Sequence, residues 1–190
     1  MIAGPNGSGK TTLVNHLRSL GVDFGRYINP DDLAMAYDQS ISLTERSRRA
    51  QAEADRLRQA CVAQRLDFSF ETVMSHASKL EFFTECRRSG YYTLLIFVST
   101  TDPELNVARV AQRVALGGHH VPPDRIVARY ARTMSLLPAA VDIADRAVIY
   151  DNSTADGLKL GLSKRLDRGV AFYQMAPDAP DWIRDLVPKA

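Results

Sequence analysis

Nine residues near the start of the chain, Gly4-Pro5-Asn6-Gly7-Ser8-Gly9-Lys10-Thr11-Thr12, fill every fixed place of the pattern G-x-x-x-x-G-K-[ST]. Nothing else in the sequence restricts the fold so tightly. Such a loop must turn several backbone N–H groups onto one anion, and a β-carbon at Gly4, Gly7 or Gly9 would block the approach or the backbone angles required. It also needs a strand before it and a helix after it. Met1-Ile2-Ala3 is apolar like a strand end, and Thr12 to Leu20 reads as a helix stopped by Gly21. In that helix Leu13, Leu17 and Leu20 fall at i, i+4 and i+7, one apolar face turned to a sheet. The pattern predicts that Gly4 to Thr12 cradle the phosphates of ATP, with Lys10 as a mobile charge for the β- and γ-phosphates and the Thr11 hydroxyl as a ligand of Mg²⁺. Only three residues precede Gly4, against ~5–6 in a mean strand, so either the first strand is short or the natural chain begins earlier.

Composition bounds what the loop can serve. The 190 residues suit one domain large enough for a sheet covered on both faces, and an apolar share of 45% is that of a soluble globular chain. A net charge of only +2 gives no reason to expect nucleic acid or an anionic membrane as partner. No stretch approaches the ~20 apolar residues of a membrane span, and no signal peptide precedes the loop. Cys61 and Cys86 lack metal-ligand spacing and read as free thiols of a reducing compartment. A cytoplasmic protein is expected.

Further along, Gly25-Arg26-Tyr27-Ile28-Asn29 is a short strand candidate ended by Pro30, which cannot continue a ladder and suits the first turn of a helix. Asp31 and Asp32 then stand just beyond a strand's carboxyl end, where open α/β sheets place ligands. Acidic residues in a first helical turn also complement the helix dipole and often do nothing more; the neighbouring phosphate loop shifts the reading toward chemistry. A polar helix is predicted from Leu43 to Gln64, with Ala50, Ala54, Leu57, Cys61 and Val62 as its apolar positions. Leu66, Phe68 and Phe70 alternate with polar residues at strand period, which leaves Glu71 at that strand's carboxyl end. Two readings of Glu71 stand there, a solvent-facing residue on an edge strand or a ligand beside the phosphate loop.

Tyr92 to Ser99 is the most continuous apolar strand, expected at the buried middle of the sheet. Helices are predicted from Leu105 to Leu116 and from Asp124 to about Leu137, separated by Gly117-Gly118 and His119-His120-Val121-Pro122-Pro123. Arg109 and Arg113 lie at i, i+4, and Arg125, Arg129 and Arg132 at i, i+4 and i+7, so each helix carries its arginines on one stripe. Two basic stripes joined at Gly-Gly describe a lid over residues 109–137 that closes on phosphates. Arg109 and Arg125 fit a solvated face as well as a phosphate contact; Arg113 and Arg129 are the stronger candidates. Ala147 to Asp151 is a last core strand. The tail, residues 152–190, offers a weak hairpin around Asp167-Arg168-Gly169 and a short helix at Trp182 to Leu186, with packing on the core as its expected role.

The loop Gly4 to Thr12, the turn Ile28-Asn29-Pro30-Asp31, the strand end Phe70-Glu71-Thr72 and the segment Arg113 to Pro122 together resemble the zeta-toxin family of P-loop kinases. The resemblance covers residues 1 to 151. It implies an ATP-dependent kinase, similar to UDP-N-acetylglucosamine kinases, that phosphorylates the amino sugar of a UDP-N-acetyl sugar, often as the toxin of a toxin and antitoxin pair. By the same resemblance Lys10 holds the phosphates and Asp31 is the base that takes the acceptor hydroxyl's proton. Glu71, with Thr72 beside it, helps to bind the acceptor, and Arg113 stabilises the transferred group. The family's second phosphate-contacting arginine falls near His119 or His120, so that part passes to His119 or Arg129 or is weakened.

Two rivals remain. A mechanical ATPase uses the same loop, but it needs a strand ending in Asp-Glu and a Ser-Gly-Gly signature, neither of which is present. A nucleotide-binding regulatory module would leave Asp31 idle. The expected architecture is a single three-layer α/β domain over residues 1–190, a P-loop NTPase fold with a mostly parallel five-stranded sheet. Its expected ligands are ATP, Mg²⁺ and a small-molecule acceptor, and a protein antitoxin is the macromolecular partner the resemblance allows.

Overall fold

The computed structural model describes residues 1–38, 40–118 and 120–188. It is a central sheet between helices, with strands β1 (Ile2–Ala3), β2 (Arg26–Ile28), β3 (Phe68–Thr72), β4 (Leu94–Ser99), β5 (Arg146–Asp151), β6 (Lys159–Asp167) and β7 (Val170–Met175) in the spatial order 2-3-1-4-5-6-7. Strands β1 to β5 pair in parallel. The helices are α1 (Lys10–Ser19), α2 (Pro30–Ala36), α3 (Leu43–Gln64), α4 (Ser78–Arg88), α5 (Pro103–Ala115), α6 (Pro123–Ile143) and α7 (Asp181–Arg184). Among the described residues no helix is long and apolar enough to cross a membrane.

Side-chain alternation along the strands sorts the interior into two halves. Ile2, Ile96 and Val98 pack on one face with Leu13 and Val14 of α1. Ala3, Phe70, Leu95 and Phe97 pack on the other, with Ala54 and Cys61 of α3, Phe82, Phe83 and Cys86 of α4, and Leu137, Ala140 and Val141 of α6. Full burial of an aliphatic or aromatic side chain contributes roughly 1.5–3 kcal/mol, so these two clusters hold the three layers together. Both cysteines are buried and free.

Among the described residues the sheet has seven strands, not the five expected. The tail supplies the other two as an antiparallel hairpin, with Asp167 opposite Val170. Its two loop residues, Arg168 at φ 50° and Gly169 at φ 81°, both take the left-handed conformation that a tight hairpin requires. The alternation of β6 looks weak because Lys164 occupies an inward position. That lysine is only 2% exposed. Its ammonium donates to the carbonyls of Val141 at 2.8 Å, Asp142 at 3.2 Å and Ala144 at 2.6 Å, capping the end of α6. Helix α6 also runs beyond the expected stop near Leu137, through Pro138 to Ile143. Leu137 on one side of the proline and Ala140 and Val141 on the other are all core residues, and their burial outweighs the hydrogen bond the proline cannot make.

Lys164→Ala should therefore strip a charged donor from three carbonyls, those of Val141 and Ala144 in buried bonds. A loss of about 2–3 kcal/mol is expected, a fall of roughly 4–12 °C in Tm for a chain of this size. Thermal unfolding followed by circular dichroism reads it, and an unchanged Tm would show that water replaces the lysine freely.

Candidate functional site

Strand β1 ends at Ala3, and the chain leaves the sheet at Gly4. Gly4 has φ 148°, and a Cβ there would stand 2.0 Å from the Val98 carbonyl of β4. Gly7 has φ 76°, and its Cβ would meet the Asn106 carbonyl of α5 at 2.6 Å. The loop is thus wedged between β4 and α5, a position open only to glycine at both points. Asn152, just past β5, donates from Nδ2 to the Ser8 carbonyl at 2.8 Å and braces the loop from the other side.

Lys10 begins α1 and folds back over the loop, donating from Nζ to the carbonyls of Gly4 at 2.9 Å and Pro5 at 3.0 Å. It is 8% exposed. Burial lowers its pKa; the carboxylates of Glu71 and then Asp31 pull it back up, and the Arg113 guanidinium pushes it down. Three other side chains singled out from the sequence therefore bear on Lys10 here. An ammonium has three donors, so one N–H is left beyond the two loop carbonyls. The Ser8 hydroxyl inside the loop is buried without a hydrogen-bond partner, as are Asn106 Nδ2 and one terminal nitrogen of Arg109 on the helix that touches Gly7. Uncompensated buried polar groups are costly. A triphosphate, rich in acceptors, suits this set.

Asn29 caps α2 by accepting from the Asp31 N–H at 3.0 Å, and Pro30 fills the first helical position. Asp31 and Asp32 occupy the first turn, both exposed. They project about 100° apart, and their charges fall on different groups: Asp31 acts on Lys10, Asp32 on Tyr27.

Strand β3 alternates, so Phe68 and Phe70 join the α3 and α4 side while Ser69 and Glu71 turn to the α1 side. Glu71 is buried. Its Oε2 accepts from the Tyr27 hydroxyl at 2.6 Å and its Oε1 from the Thr11 hydroxyl at 3.3 Å. Burial first, and then the Glu71 carboxylate, push the Tyr27 phenol well above its ordinary range and keep it a donor. Thr72 accepts the Met74 N–H at 3.0 Å. Met74 is a buried residue at φ 55°, a conformation that costs an L-residue of order 1 kcal/mol. The Thr133 hydroxyl of α6 steadies the same turn by donating to the Val73 carbonyl at 2.8 Å.

Helices α5 and α6 join through Val110, Val121 and Ile126. Arg113 is in the last turn of α5, next to Gly117 at φ 87°. Arg129 of α6 donates to Asn6 Oδ1 of the loop at 3.4 Å. Arg125 and Arg132 are exposed, whereas Arg109 is half-buried. His119 lies outside the described residues, and His120 is exposed. Among the described residues no group of three or more His, Cys, Asp or Glu side chains could hold a metal unaided.

The structure thus brings the loop, Asp31, Glu71, Arg113 and Arg129 to one end of the sheet. Sequence reasoning missed Tyr27, Asn106 and Asn152. Asn152 stands just past a strand's carboxyl end, the same signal that drew attention to Asp31 and Glu71, and could have been found by it.

A model of the zeta-toxin family matches residues 1–157. An uncharacterized protein of Haemophilus influenzae is 30% identical over 132 residues, covering 67% of this chain and 88% of that one. Among solved structures, the AvrRxo1-ORF1:-ORF2 complex with ATP superposes with a TM-score of 0.67 at 16% identity, over 85% of this chain and 57% of that one. The same complex with sulphate ions gives 0.72 at 15%, over 97% and 62%. The PezAT toxin-antitoxin system of Streptococcus pneumoniae gives 0.58 at 16%, over 83% and 68%. The chain thus spans about three-fifths of the AvrRxo1 chains it resembles. These likenesses establish the P-loop fold, and with four-fifths of its length under one family model the chain belongs to the zeta-toxin family.

Proposed function

We propose that this protein is an ATP-dependent kinase that moves the γ-phosphoryl group of ATP onto a hydroxyl of a small molecule, a UDP-N-acetyl amino sugar by family resemblance. The observation that carries the reading is the phosphate cradle itself: buried Lys10 donates to the Gly4 and Pro5 carbonyls, the Thr11 hydroxyl meets the Glu71 carboxylate at 3.3 Å, and Arg129 reaches Asn6 of the same loop at 3.4 Å. A binding module without turnover would leave Asp31 only its helix-dipole role.

The roles are those the family resemblance implies, and the geometry supports them. Gly4 to Thr12 hold the phosphates by backbone N–H groups, with Lys10 spanning loop and phosphate. Mg²⁺, held through Thr11, would neutralise charge on the β- and γ-phosphates. Asp31, one residue past the cap of α2 and open to solvent, accepts the proton of the attacking hydroxyl as the bond from acceptor oxygen to phosphorus forms and the bond to ADP breaks. Arg113 and Arg129 offset negative charge on the transferring group, and closure of α5 and α6 over residues 109–137 excludes water. Phosphoryl transfer asks little covalent chemistry of a protein, so positioning and charge supply most of the rate. Use of ATP and a nucleotide sugar would suit the cytoplasm, and the likeness to PezAT supports a protein antitoxin as partner.

Acceptor-dependent ADP release, screened over UDP-sugars and nucleosides, tests the reading; ATP consumption indifferent to every acceptor would overturn it. Lys10→Ala should lose about 10²-fold or more in kcat with an unchanged circular dichroism spectrum.

Asp31→Asn should lose ~10²–10⁴-fold in kcat with nucleotide binding kept, whereas Asp32→Asn, whose charge falls on Tyr27 and not Lys10, should lose little. Steady-state kinetics with nucleotide titration separates the two, and a larger loss in Asp32→Asn would move the base by one residue.

Arg113→Ala should lower kcat more than it weakens ATP binding, because its contact strengthens as charge develops. A loss of affinity alone would make Arg113 a ground-state binder.

A further inference from the structure

Glu71 stands at a strand's carboxyl end, and position alone leaves open what it faces. Three observations settle its surroundings. Strand alternation turns it to the α1 side of the sheet, away from Phe70 and the α3 side. Its Oε1 receives the Thr11 hydroxyl, the group that would hold Mg²⁺. Its charge is the largest single influence on Lys10 after burial itself. A carboxylate on a strand can nevertheless rotate about its last side-chain bond, and only one oxygen is near Thr11.

What stops that rotation is Tyr27. Its hydroxyl donates to Glu71 Oε2 at 2.6 Å, a short hydrogen bond to a charged acceptor. The tyrosine ring is itself held: the Arg18 guanidinium of α1 lies 4.3 Å from its centroid, and Phe24 meets it edge-on at 6.1 Å. In the parallel register Tyr27 pairs with Ser69, two residues before Glu71 and on the same face, so the phenol reaches along the sheet to the carboxylate. Arg18 and Thr11 belong to one helix, and this closes a ring of contacts from α1 through β2 and β3 back to α1.

We propose that Tyr27 is a positioning residue for the metal side of the site, fixing Glu71 so that its free oxygen accepts the Thr11 hydroxyl and the waters of a nucleotide-bound Mg²⁺. The proposal rests on the kinase reading and assigns Glu71 to the nucleotide side, in place of the acceptor role that family resemblance implies. A hydroxyl whose proton is drawn to a carboxylate is a better oxygen ligand, and removal of such supporting partners costs typically ~10–100-fold in metal affinity. Direct metal contact would stay with Thr11 and the phosphates.

The test reads binding and not turnover. Affinity for a fluorescent ADP analogue is measured with Mg²⁺ and with EDTA, and Mn²⁺ bound to the ADP complex is counted by electron paramagnetic resonance. Tyr27→Phe keeps the ring under Arg18 and removes only the hydroxyl. It should leave affinity in EDTA unchanged and weaken the metal-dependent part by about 10-fold. Glu71→Gln should do the same, and Tyr27→Phe should add nothing in the Glu71→Gln background, since the two act in series. An unaltered metal titration in Tyr27→Phe, or additive losses in the double variant, would overturn the proposal. So would a Glu71→Gln protein that raises only the acceptor KM. Such results would leave acceptor-dependent ADP release by the native protein untouched, so the kinase reading stands or falls separately. Absence of metal-dependent nucleotide binding in the native protein would overturn both.

Discussion

An ammonium buried as Lys10 is must recover the solvation it gives up, and most of the surrounding architecture supplies that recovery. Two loop carbonyls take hydrogen bonds from it, and Glu71 and Asp31 offset the burial from a greater distance. The carbonyls face Lys10 because Gly4 and Gly7 let the loop turn tightly between β4 and α5. The carboxylates come from the ends of β3 and the start of α2, and neither is adjacent to the loop in sequence. Their only common element is the parallel order 2-3-1-4-5, which sets the ends of β2 and β3 beside the loop that leaves β1. The topology is thus what gathers the charges.

Within that frame a two-residue alternation divides the labour. One strand, β3, sends Phe68 and Phe70 into the larger core and Glu71 to the phosphate side. The aromatic half anchors the strand through Phe82 and Tyr91, at 5.6 Å each from Phe70 and Phe68 respectively. A rigid strand can then present a carboxylate without a mobile loop beneath it. Beyond Thr72 the chain turns through Met74, whose left-handed backbone is kept in place by complete burial and by the Thr72 hydroxyl. Strain held this close to the site is affordable only because the packing on both sides is fixed.

Much of this is readable from the chain. The nine-residue loop dictates a strand, a turn and a helix, and the positions just past strand ends point to Asp31 and Glu71 without any knowledge of tertiary contacts. The i, i+4 arginines likewise identify α5 and α6, and Arg129 does meet Asn6. The failures have physical causes. Lys164 carries no signal in the sequence, since pattern cannot show that three carbonyls at the end of a distant helix will enclose its charge. Pro138 looks like a helix stop, because its local penalty is visible and the core contacts that outweigh it are not. Tyr27 reads as one aromatic on a short strand; its partner is 44 residues away and is chosen by register.

Helices α5 and α6 carry both the loop's anchoring and the arginines of the proposed lid, at opposite ends of α5. Close backbone approach at Gly7 ties α5 to the loop through Asn106, whose carbonyl would clash with any larger residue there. Thr100 holds the same asparagine side chain at its oxygen by a 2.5 Å hydrogen bond, leaving the nitrogen without a protein partner. The first turns of α5 are therefore part of the rigid loop support. Arg113 is nearly two turns further along, at the exposed end of the same helix and beside the left-handed Gly117. A helix is stiff over that distance, so motion that brings Arg113 nearer to the phosphates has to be absorbed at its ends, and Gly117 is the end with the least steric resistance. In the proposed kinase, closure would change the reach of Arg113 and Arg129 while the cradle from Gly4 to Lys10 stays as it is.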